Sequence, residues 1–116
     1  MALKDRVGKW GEDFAAAYLQ SFGVEILQRN LKTQACEIDI LCNDSGTLVV
    51  AEVKTRKSTR SGVAAEAIDK RRCARLSQAA VEVLKCYPDF VQVRVDGIFI
   101  DVVGNIVRVE HIRSIT

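Results

Sequence analysis

The chain has 116 residues, which suits a single domain over residues 1–116 that buries roughly two-thirds of its unfolded surface. Its 48% hydrophobic and 28% charged residues are ordinary for a globular protein, and the formal net charge of +2 indicates little by itself. No apolar run approaches a membrane span, and residues 1–6 lack the apolar segment of a signal peptide. We therefore expect a cytoplasmic protein with no membrane partner.

Residues 3–22 have the periodicity of an amphipathic helix, and Gly23 follows as a C-cap signal. Apolar side chains at steps of three or four form one stripe: Leu3, Val7, Trp10, Phe14 and Tyr18. Glu12 lies off the centre of this stripe. The pattern leaves two interpretations open for it: an exposed helix residue, or an acid that reaches the neighbouring strands from the helix.

Three predicted strands follow the helix. Residues 24–30 form the first, and residues 35–41 and 49–54 form two more that are rich in aliphatic and β-branched side chains. The turn-forming sequence Asn43-Asp44-Ser45-Gly46 lies between the last two. These two strands are therefore predicted to form a β-hairpin.

The predicted hairpin carries four charged residues, Glu37, Asp39, Glu52 and Lys54. Residues two apart share a face of a strand, so Glu37 faces the same way as Asp39, and Glu52 the same way as Lys54. An even loop, such as Ser45-Gly46 alone, places Asp39 opposite Glu52 with their Cβ atoms roughly 5 Å apart. An odd loop separates the two pairs. We expect the even loop, because the odd one would drive a charged pair into the core.

The residues that alternate with these charges are expected to form the opposite, apolar faces: Cys36, Ile38, Ile40, Val49, Ala51 and Val53. On the charged face, two opposed carboxylates repel unless a cation neutralises them. Oxygen ligands without a nearby histidine favour Mg²⁺ or Mn²⁺ over zinc. The other interpretation is a solvated hairpin face, on which Lys54 pairs with Glu37 or Asp39.

A polar, basic segment at residues 55–62 is expected to be a mobile loop, and a second helix is predicted over residues 63–86, before Pro88. Eight basic residues lie in or beside this stretch: Lys54, Arg56, Lys57, Arg60, Lys70, Arg71, Arg72 and Arg75. Only Glu66 and Asp69 oppose them. A basic patch beside an acidic strand face suits a nucleic-acid backbone, whereas a solvated helix face with a charged loop is the alternative.

Two further strands, at residues 91–102 and 106–112, are predicted on either side of the turn Gly104-Asn105. His111, the single histidine, is expected to be a surface or structural residue. The four cysteines have no Cys-x-x-Cys spacing and are expected to be buried reduced thiols. The predicted element order is αβββαββ.

Motifs along nearly the whole chain are specific in combination although each is weak alone: Gly8-x-x-Gly11-Glu12, Arg29-Asn30, Glu37-Ile38-Asp39, Glu52-Val53-Lys54, Lys70, Ala79-Ala80 and Arg94-Val95-Asp96. With these motifs the chain resembles the YraN-like family of small bacterial proteins. That family is similar in turn to the PD-(D/E)XK fold of archaeal Holliday-junction resolvases. The family usually has Gly where this chain has Cys36, but a side chain on the face opposite the acids should leave the site intact.

The resemblance implies an α/β, PD-(D/E)XK (restriction-endonuclease-like) core, with a mixed central sheet flanked by helices. It also implies catalytic roles for Glu12, Asp39, Glu52 and Lys54. Asp39, Glu52 and the Val53 carbonyl would bind Mg²⁺ or Mn²⁺. Lys54 would orient the attacking water or stabilise charge on the phosphate, and Glu12 would hold a water molecule or a second ion.

These implications describe a metal-dependent nuclease acting on DNA phosphodiester bonds, with branched or damaged DNA as candidate substrates. Its nucleic-acid-binding residues would be Arg56, Lys57, Arg60, Lys70, Arg71 and Arg75. The alternative is a non-catalytic nucleic-acid-binding module that retains the nuclease fold. A protein–protein adaptor would leave the basic residues unexplained. Since one site cuts one strand, nucleases of this size often act as homodimers, but no sequence feature indicates an interface here.

Overall fold

The computed structural model describes residues 3–57 and 68–116. Its elements follow the predicted order: α1 (Leu3–Ser21), β1 (Glu25–Lys32), β2 (Glu37–Asp44), β3 (Thr47–Lys57), α2 (Lys70–Cys86), β4 (Val93–Val103) and β5 (Ile106–Ile112). The strands form one sheet in the order β1-β2-β3-β4-β5. β3 and β4 are parallel, and the other neighbouring strands are antiparallel. The predicted α/β class with a mixed sheet and two helices is confirmed.

The sheet has a hydrophobic cluster on each face, one under each helix. Val49 and Ala51 of β3 belong to the cluster under α1, whereas Leu48 and Val50 belong to the cluster under α2. Alternate residues of this central strand therefore face opposite helices. Because both faces are covered, the next residue on the α2 side, Glu52, enters a buried environment and is only 4% exposed.

α1 faces the sheet through small residues. Its buried positions are Gly11, Ala15, Ala16 and Leu19. A Cβ atom at Gly11 would overlap the side chain of Thr55 on β3, so the helix and the strand touch at this point. The apolar stripe predicted from spacing lies beside this contact: Trp10 is 41% exposed and packs on Phe14, with 5.3 Å between their ring centroids. The small side chains, and not the aromatic ones, therefore set the distance between helix and sheet.

The C-cap predicted at Gly23 is confirmed. Gly23 has a positive φ of 82°, a conformation that glycine adopts without steric penalty. Its N–H donates to the Gln20 carbonyl at 3.0 Å, and the Val24 N–H donates to the Leu19 carbonyl at 3.2 Å. This paired arrangement ends α1 and directs the chain into β1.

The even loop predicted for the hairpin is also confirmed. Asp44 pairs with Thr47, so that Ser45 and Gly46 alone form the connection. Both have positive φ, 52° and 94°, as a type I′ turn requires. The Asn43 side chain accepts a hydrogen bond from the Gly46 N–H at 2.8 Å, which holds the turn and fixes the register of the two strands.

Two predicted boundaries near the basic segment are wrong. Residues 55–57 are not loop, because β3 continues in parallel pairing with β4 as far as Lys57, opposite Val102. Residues 68 and 69 are not helical, because Asp69 has extended backbone angles and caps α2 by accepting from the Arg72 N–H at 2.8 Å. The rest of the predicted loop and the predicted helical residues 63–67 lie outside the described residues. Neither α1 nor α2 is long and apolar enough to cross a membrane.

Candidate active site

Asp39 and Glu52 come together where β2 and β3 separate. The last paired residues of the β2–β3 ladder are Ile40 and Ala51, and the two acids are the next residues on each strand. Beyond the ladder, the Val53 N–H donates to Asp39 Oδ2 at 2.8 Å, so the carboxylate of β2 takes the place of a main-chain acceptor. The two acids are therefore neighbours at the end of the ladder, close enough for the charge of Glu52 to act on Asp39.

Glu52 perturbs the Asp39 carboxyl. Burial, followed by the negative charge of Glu52, raises the pKa of Asp39 to about 7, against a smaller lowering effect of the hydrogen bond from the Val53 N–H. The charge of Glu12 adds to this increase. Asp39 therefore keeps its proton to a higher pH than an ordinary aspartate, and a cation at this point would favour its ionised form.

Arg72 of α2 neutralises Glu52. Its Nε donates to Glu52 Oε2 at 2.7 Å and its Nη2 donates to Oε1 at 2.9 Å, the two-point geometry that pairs guanidinium with carboxylate. Nη2 also donates to the Glu37 carbonyl at 3.0 Å. From the sequence, Arg72 is one of eight clustered basic residues, and no role beside the acids is predicted for it. Its position three residues after the helix-capping Asp69 is the only sequence signal for this contact, and that signal does not identify the partner.

Glu12 approaches the acids from α1 and is held by the end of β1. Asn30 donates from Nδ2 to Glu12 Oε1 at 2.8 Å, and Arg29 lies 4.0 Å from the same oxygen. Arg29 also pairs with Asp13 at 2.6 Å. The Arg29-Asn30 motif therefore positions the two adjacent acids in the middle of α1, and Glu12 is close enough to Asp39 for its charge to affect that carboxyl.

Lys54 lies two residues after Glu52 on β3 and by alternation shares its side of the strand. Its side chain is half-buried, and it forms no ion pair with a carboxylate among the described residues. A lysine in this position carries a positive charge on the same side of β3 as Glu52.

Cys36 and Ile38 do not lie on the face opposite the acids, and that prediction is wrong. Both belong with the cluster under α2, on the side of the sheet where Glu52 meets Arg72. The regular alternation fails because β2 is no longer paired with β3 before Ile40. Burial raises the pKa of the Cys36 thiol, on which the charges of Arg72 and Glu52 also act.

The donor set suits a hard cation with few protein ligands. Among the described residues, no group of three or more His, Cys, Asp and Glu side chains is close enough to hold one metal ion. Asp39 and Glu52 are two carboxylates, and Mg²⁺ is commonly bound by one or two carboxylates with water completing its shell. Each carboxylate oxygen has two lone pairs, so the contacts with Arg72 do not exhaust the acceptor capacity of Glu52.

The predicted nucleic-acid-binding residues fall into separate places. Lys70, Arg71 and Arg75 are exposed on α2. Arg56, at the end of β3, pairs through Nε with the buried Asp101 at 3.0 Å. Lys57 lines a cavity of about 270 Å³ with Arg6 and Trp10, on the α1 side of the sheet. Arg60 lies outside the described residues.

A buried ionic network on β4, the parallel neighbour of β3, was not predicted from the sequence. Asp96 has no exposed surface and accepts hydrogen bonds from Arg94 Nε at 2.9 Å and from the Ser114 N–H at 3.1 Å. His111 Nε2 lies 2.8 Å from its other oxygen, and Arg94 also bonds Asp44. Burial alone would raise the pKa of Asp96, but the hydrogen bonds from His111, Arg94 and Ser114 lower it. His111 thus has a structural place.

The fold and the site define a small α/β protein with a partly buried carboxylate pair and an adjacent lysine on its central hairpin. The chain belongs to the family described as uncharacterised protein family UPF0102, whose family model matches residues 11–104. A UPF0102 protein of Frankia casuarinae is 43% identical over 116 residues, covering 98% of each chain. One from Syntrophomonas wolfei is 39% identical over 111 residues, covering 95% of this chain and 96% of the relative. The YraN-like resemblance drawn from the motifs is thereby confirmed.

Proposed function

We propose that the protein is a metal-dependent nuclease that hydrolyses DNA phosphodiester bonds. The observation that carries the proposal is the meeting of the Asp39 and Glu52 carboxylates at the end of the β2–β3 ladder, with Lys54 two residues further along β3. Opposed carboxylates beside a lysine provide oxygen ligands for a divalent cation and a positive charge for a phosphate. Carboxylate oxygens of this kind preferentially bind Mg²⁺ or Mn²⁺.

Each residue has a separate role in the proposed reaction. Asp39 and Glu52 hold the cation, and the Val53 carbonyl is a further ligand. When bound, the cation lowers the pKa of water and neutralises charge on the phosphate. Lys54 orients the attacking water or stabilises the negative charge that develops on the phosphate oxygens. Glu12, fixed by Asn30, accepts a hydrogen bond from a water molecule on the α1 side or holds a second ion.

The chain topology supports the proposed likeness to the PD-(D/E)XK fold. An antiparallel hairpin carries the acids, and a connection containing a helix leads to a parallel neighbour of its second strand. The exposed cations on α2 would contact the DNA backbone without reading sequence. We further propose a homodimer for cleavage of both strands, and a cytoplasmic location.

The contact between Arg72 and Glu52 favours a second candidate, a nucleic-acid-binding module without activity. Both oxygens of Glu52 accept hydrogen bonds from Arg72, so the acidic pair is already partly neutralised inside the protein. In such a module the cations of α2 would bind phosphate while the carboxylates only stabilise the fold.

A cleavage assay separates these functions. Circular, linear, single-stranded and junction DNA are incubated with the protein in the presence of Mg²⁺, Mn²⁺ or a chelator. A nuclease cuts at least one of these with metal and none with chelator, and Asp39→Ala abolishes the cutting while DNA affinity stays normal or increases. Lys54→Ala should lower the rate more than the affinity. Salt-sensitive binding of the wild-type protein with no cutting under any condition would establish the inactive module and refute the nuclease.

A further inference from the structure

Arg72 forms the closest contact made by any basic residue with the acidic pair among the described residues. Its guanidinium bridges both oxygens of Glu52 and the Glu37 carbonyl, using Nε and Nη2. Glu52 is buried, but the Arg72 side chain is 28% exposed, so the guanidinium borders both the acids and the solvent. The residue lies in the first turn of α2, where the Asp69 cap fixes its main chain.

A guanidinium and a divalent cation compete for the same carboxylate. In the protein without metal, Arg72 supplies the positive charge that Glu52 needs in its buried position. A cation on Asp39 and Glu52 would draw on the same oxygens and repel the guanidinium a few ångströms away. The negative charge of Glu52 would then have two positive partners, the cation and Arg72. The contact between Arg72 and Glu52 would therefore weaken.

The same guanidinium fits a phosphate. Arginine pairs with a carboxylate and with a phosphate through the same planar two-point arrangement. Arg72 is solvent-accessible at the edge of the acidic pair, so a phosphodiester that approaches a cation held by Asp39 and Glu52 comes within its reach. Its side chain can rotate away from Glu52 and the Glu37 carbonyl without movement of the helix, since Asp69 holds its backbone and not its guanidinium.

We propose that Arg72 exchanges partners: it holds Glu52 in the metal-free protein and binds a phosphate of the DNA once a divalent cation occupies Asp39 and Glu52. This inference rests on the proposed function and adds a substrate-binding residue to the same site. Its consequence is reciprocal coupling, because the cation frees the group that binds phosphate, and phosphate removes the group that competes with the cation. Cation and DNA therefore bind more tightly together than either does alone.

The coupling can be measured without cleavage. Mn²⁺ affinity is determined by calorimetry, and affinity for a short phosphorothioate duplex that resists hydrolysis is determined with and without Mn²⁺. Wild type, Arg72→Gln and the matched control Arg71→Gln are compared, since Arg71 is the adjacent, exposed arginine of the same helix. If Arg72→Gln does not fold, Arg72→Lys replaces it, because lysine keeps the positive charge but loses the two-point geometry. The results expected of Arg72→Gln then apply to Arg72→Lys.

In wild type, Mn²⁺ should strengthen duplex binding about tenfold, within the usual range of coupling between sites. Arg72→Gln should lose most of that increase while binding Mn²⁺ alone more tightly than wild type. Arg71→Gln should weaken duplex binding by the same factor with and without Mn²⁺. An undiminished Mn²⁺ effect in Arg72→Gln, or no gain in its Mn²⁺ affinity, overturns the exchange and leaves the proposed nuclease standing. Failure of wild type to bind Mn²⁺ overturns both.

Discussion

The backbone N–H of Val53 donates a hydrogen bond to Oδ2 of Asp39 at 2.8 Å, just beyond the last residues that pair β2 with β3. A side chain of one strand thus bridges to the main chain of the other where the ladder ends. At this bridge the Asp39 carboxylate lies close enough to Glu52, the residue before Val53, for the charge of Glu52 to raise its pKa. The account of the site depends on this crowding of two acids, and several consequences can be measured.

Asp39→Asn should stabilise the metal-free protein at pH 8. The substitution removes a negative charge next to Glu52 and keeps an oxygen that can accept the Val53 N–H, so we expect a gain of about 1 kcal/mol in the free energy of unfolding. The folded pKa of Asp39, about 7, lies above its unfolded value near 3.8. Wild-type stability therefore falls as pH rises from about 4 to 7, and the gain from asparagine should be small at pH 4 and full above pH 7.

Urea denaturation at several pH values measures this difference. Glu52→Gln is the matched control, because it removes the other carboxylate but also the partner of Arg72. Glu52→Gln should lower the free energy of unfolding by about 2 kcal/mol. This loss is smaller than that for breaking a fully buried ion pair, because Arg72 is partly hydrated. A destabilising effect of Asp39→Asn at pH 8 would show that the two carboxylates do not repel each other in the folded protein.

Gly11→Ala should destabilise the protein while Gly8→Ala does not. The added methyl group at Gly11 would overlap the side chain of Thr55, and α1 would have to move off β3, whereas nothing lies within 4 Å of a Cβ at Gly8. We expect Gly11→Ala to cost about 2 kcal/mol and Gly8→Ala to gain up to about 1 kcal/mol from helix propensity. Thermal unfolding of the two variants checks this. Equal melting temperatures for both would contradict the close contact of helix and strand.

Asp96→Asn should be strongly destabilising, because it removes the buried carboxylate that Arg94 and His111 contact. A loss of about 3 kcal/mol at pH 7 is expected. The pKa of Asp96 is lowered on folding, so its contribution is present above about pH 4 and is lost as pH falls further. Chemical denaturation from pH 7 to pH 3 measures it, with the exposed Asp89→Asn as control. If both variants unfold at the same denaturant concentration, the network contributes nothing to stability.

Replacing Arg71 and Arg75 together by alanine should weaken DNA binding for all sequences alike. The two side chains are exposed and one turn apart on α2, where they can contact neighbouring phosphates. The log–log dependence of affinity on salt should become shallower by roughly one unit for each lost contact. Fluorescence anisotropy at several salt concentrations gives both quantities, with Lys85→Ala at the far end of α2 as control. An unchanged affinity and slope in the double variant would show that these arginines form only a solvated face.

Local sequence signals predicted the hairpin well. The turn at Ser45-Gly46 fixes the parity of the loop and the register of the paired residues up to Ile40 and Ala51. Asp39 lies directly before Ile40, and Glu52 lies directly after Ala51. The glycine after α1 likewise ended the helix where the sequence indicated. These features depend on a few neighbouring residues, so one sequence is sufficient to infer them.

Contacts between distant elements were not predictable in the same way. The partner of Arg72 depends on where α2 lies over the sheet, which follows from the Asp69 cap and the packing beneath the helix. The position of Cys36 depends on the point at which β2 stops pairing with β3. The residues of the network around Asp96 come from different strands and from the segment after β5. Only the sheet register brings them together.

The most direct test of the site is calorimetric titration of the metal-free protein with Mg²⁺ or Mn²⁺ at pH 7, in two buffers of different ionisation enthalpy. If Asp39 and Glu52 hold the cation, binding must displace the proton that Asp39 partly retains, since the pKa of that carboxyl is about 7. We expect a single site whose binding releases a fraction of a proton at pH 7 and a smaller fraction at pH 9. We also expect that Asp39→Asn abolishes this proton release and weakens the binding. No binding to the wild-type protein, or equal binding and proton release in Asp39→Asn, would contradict the account.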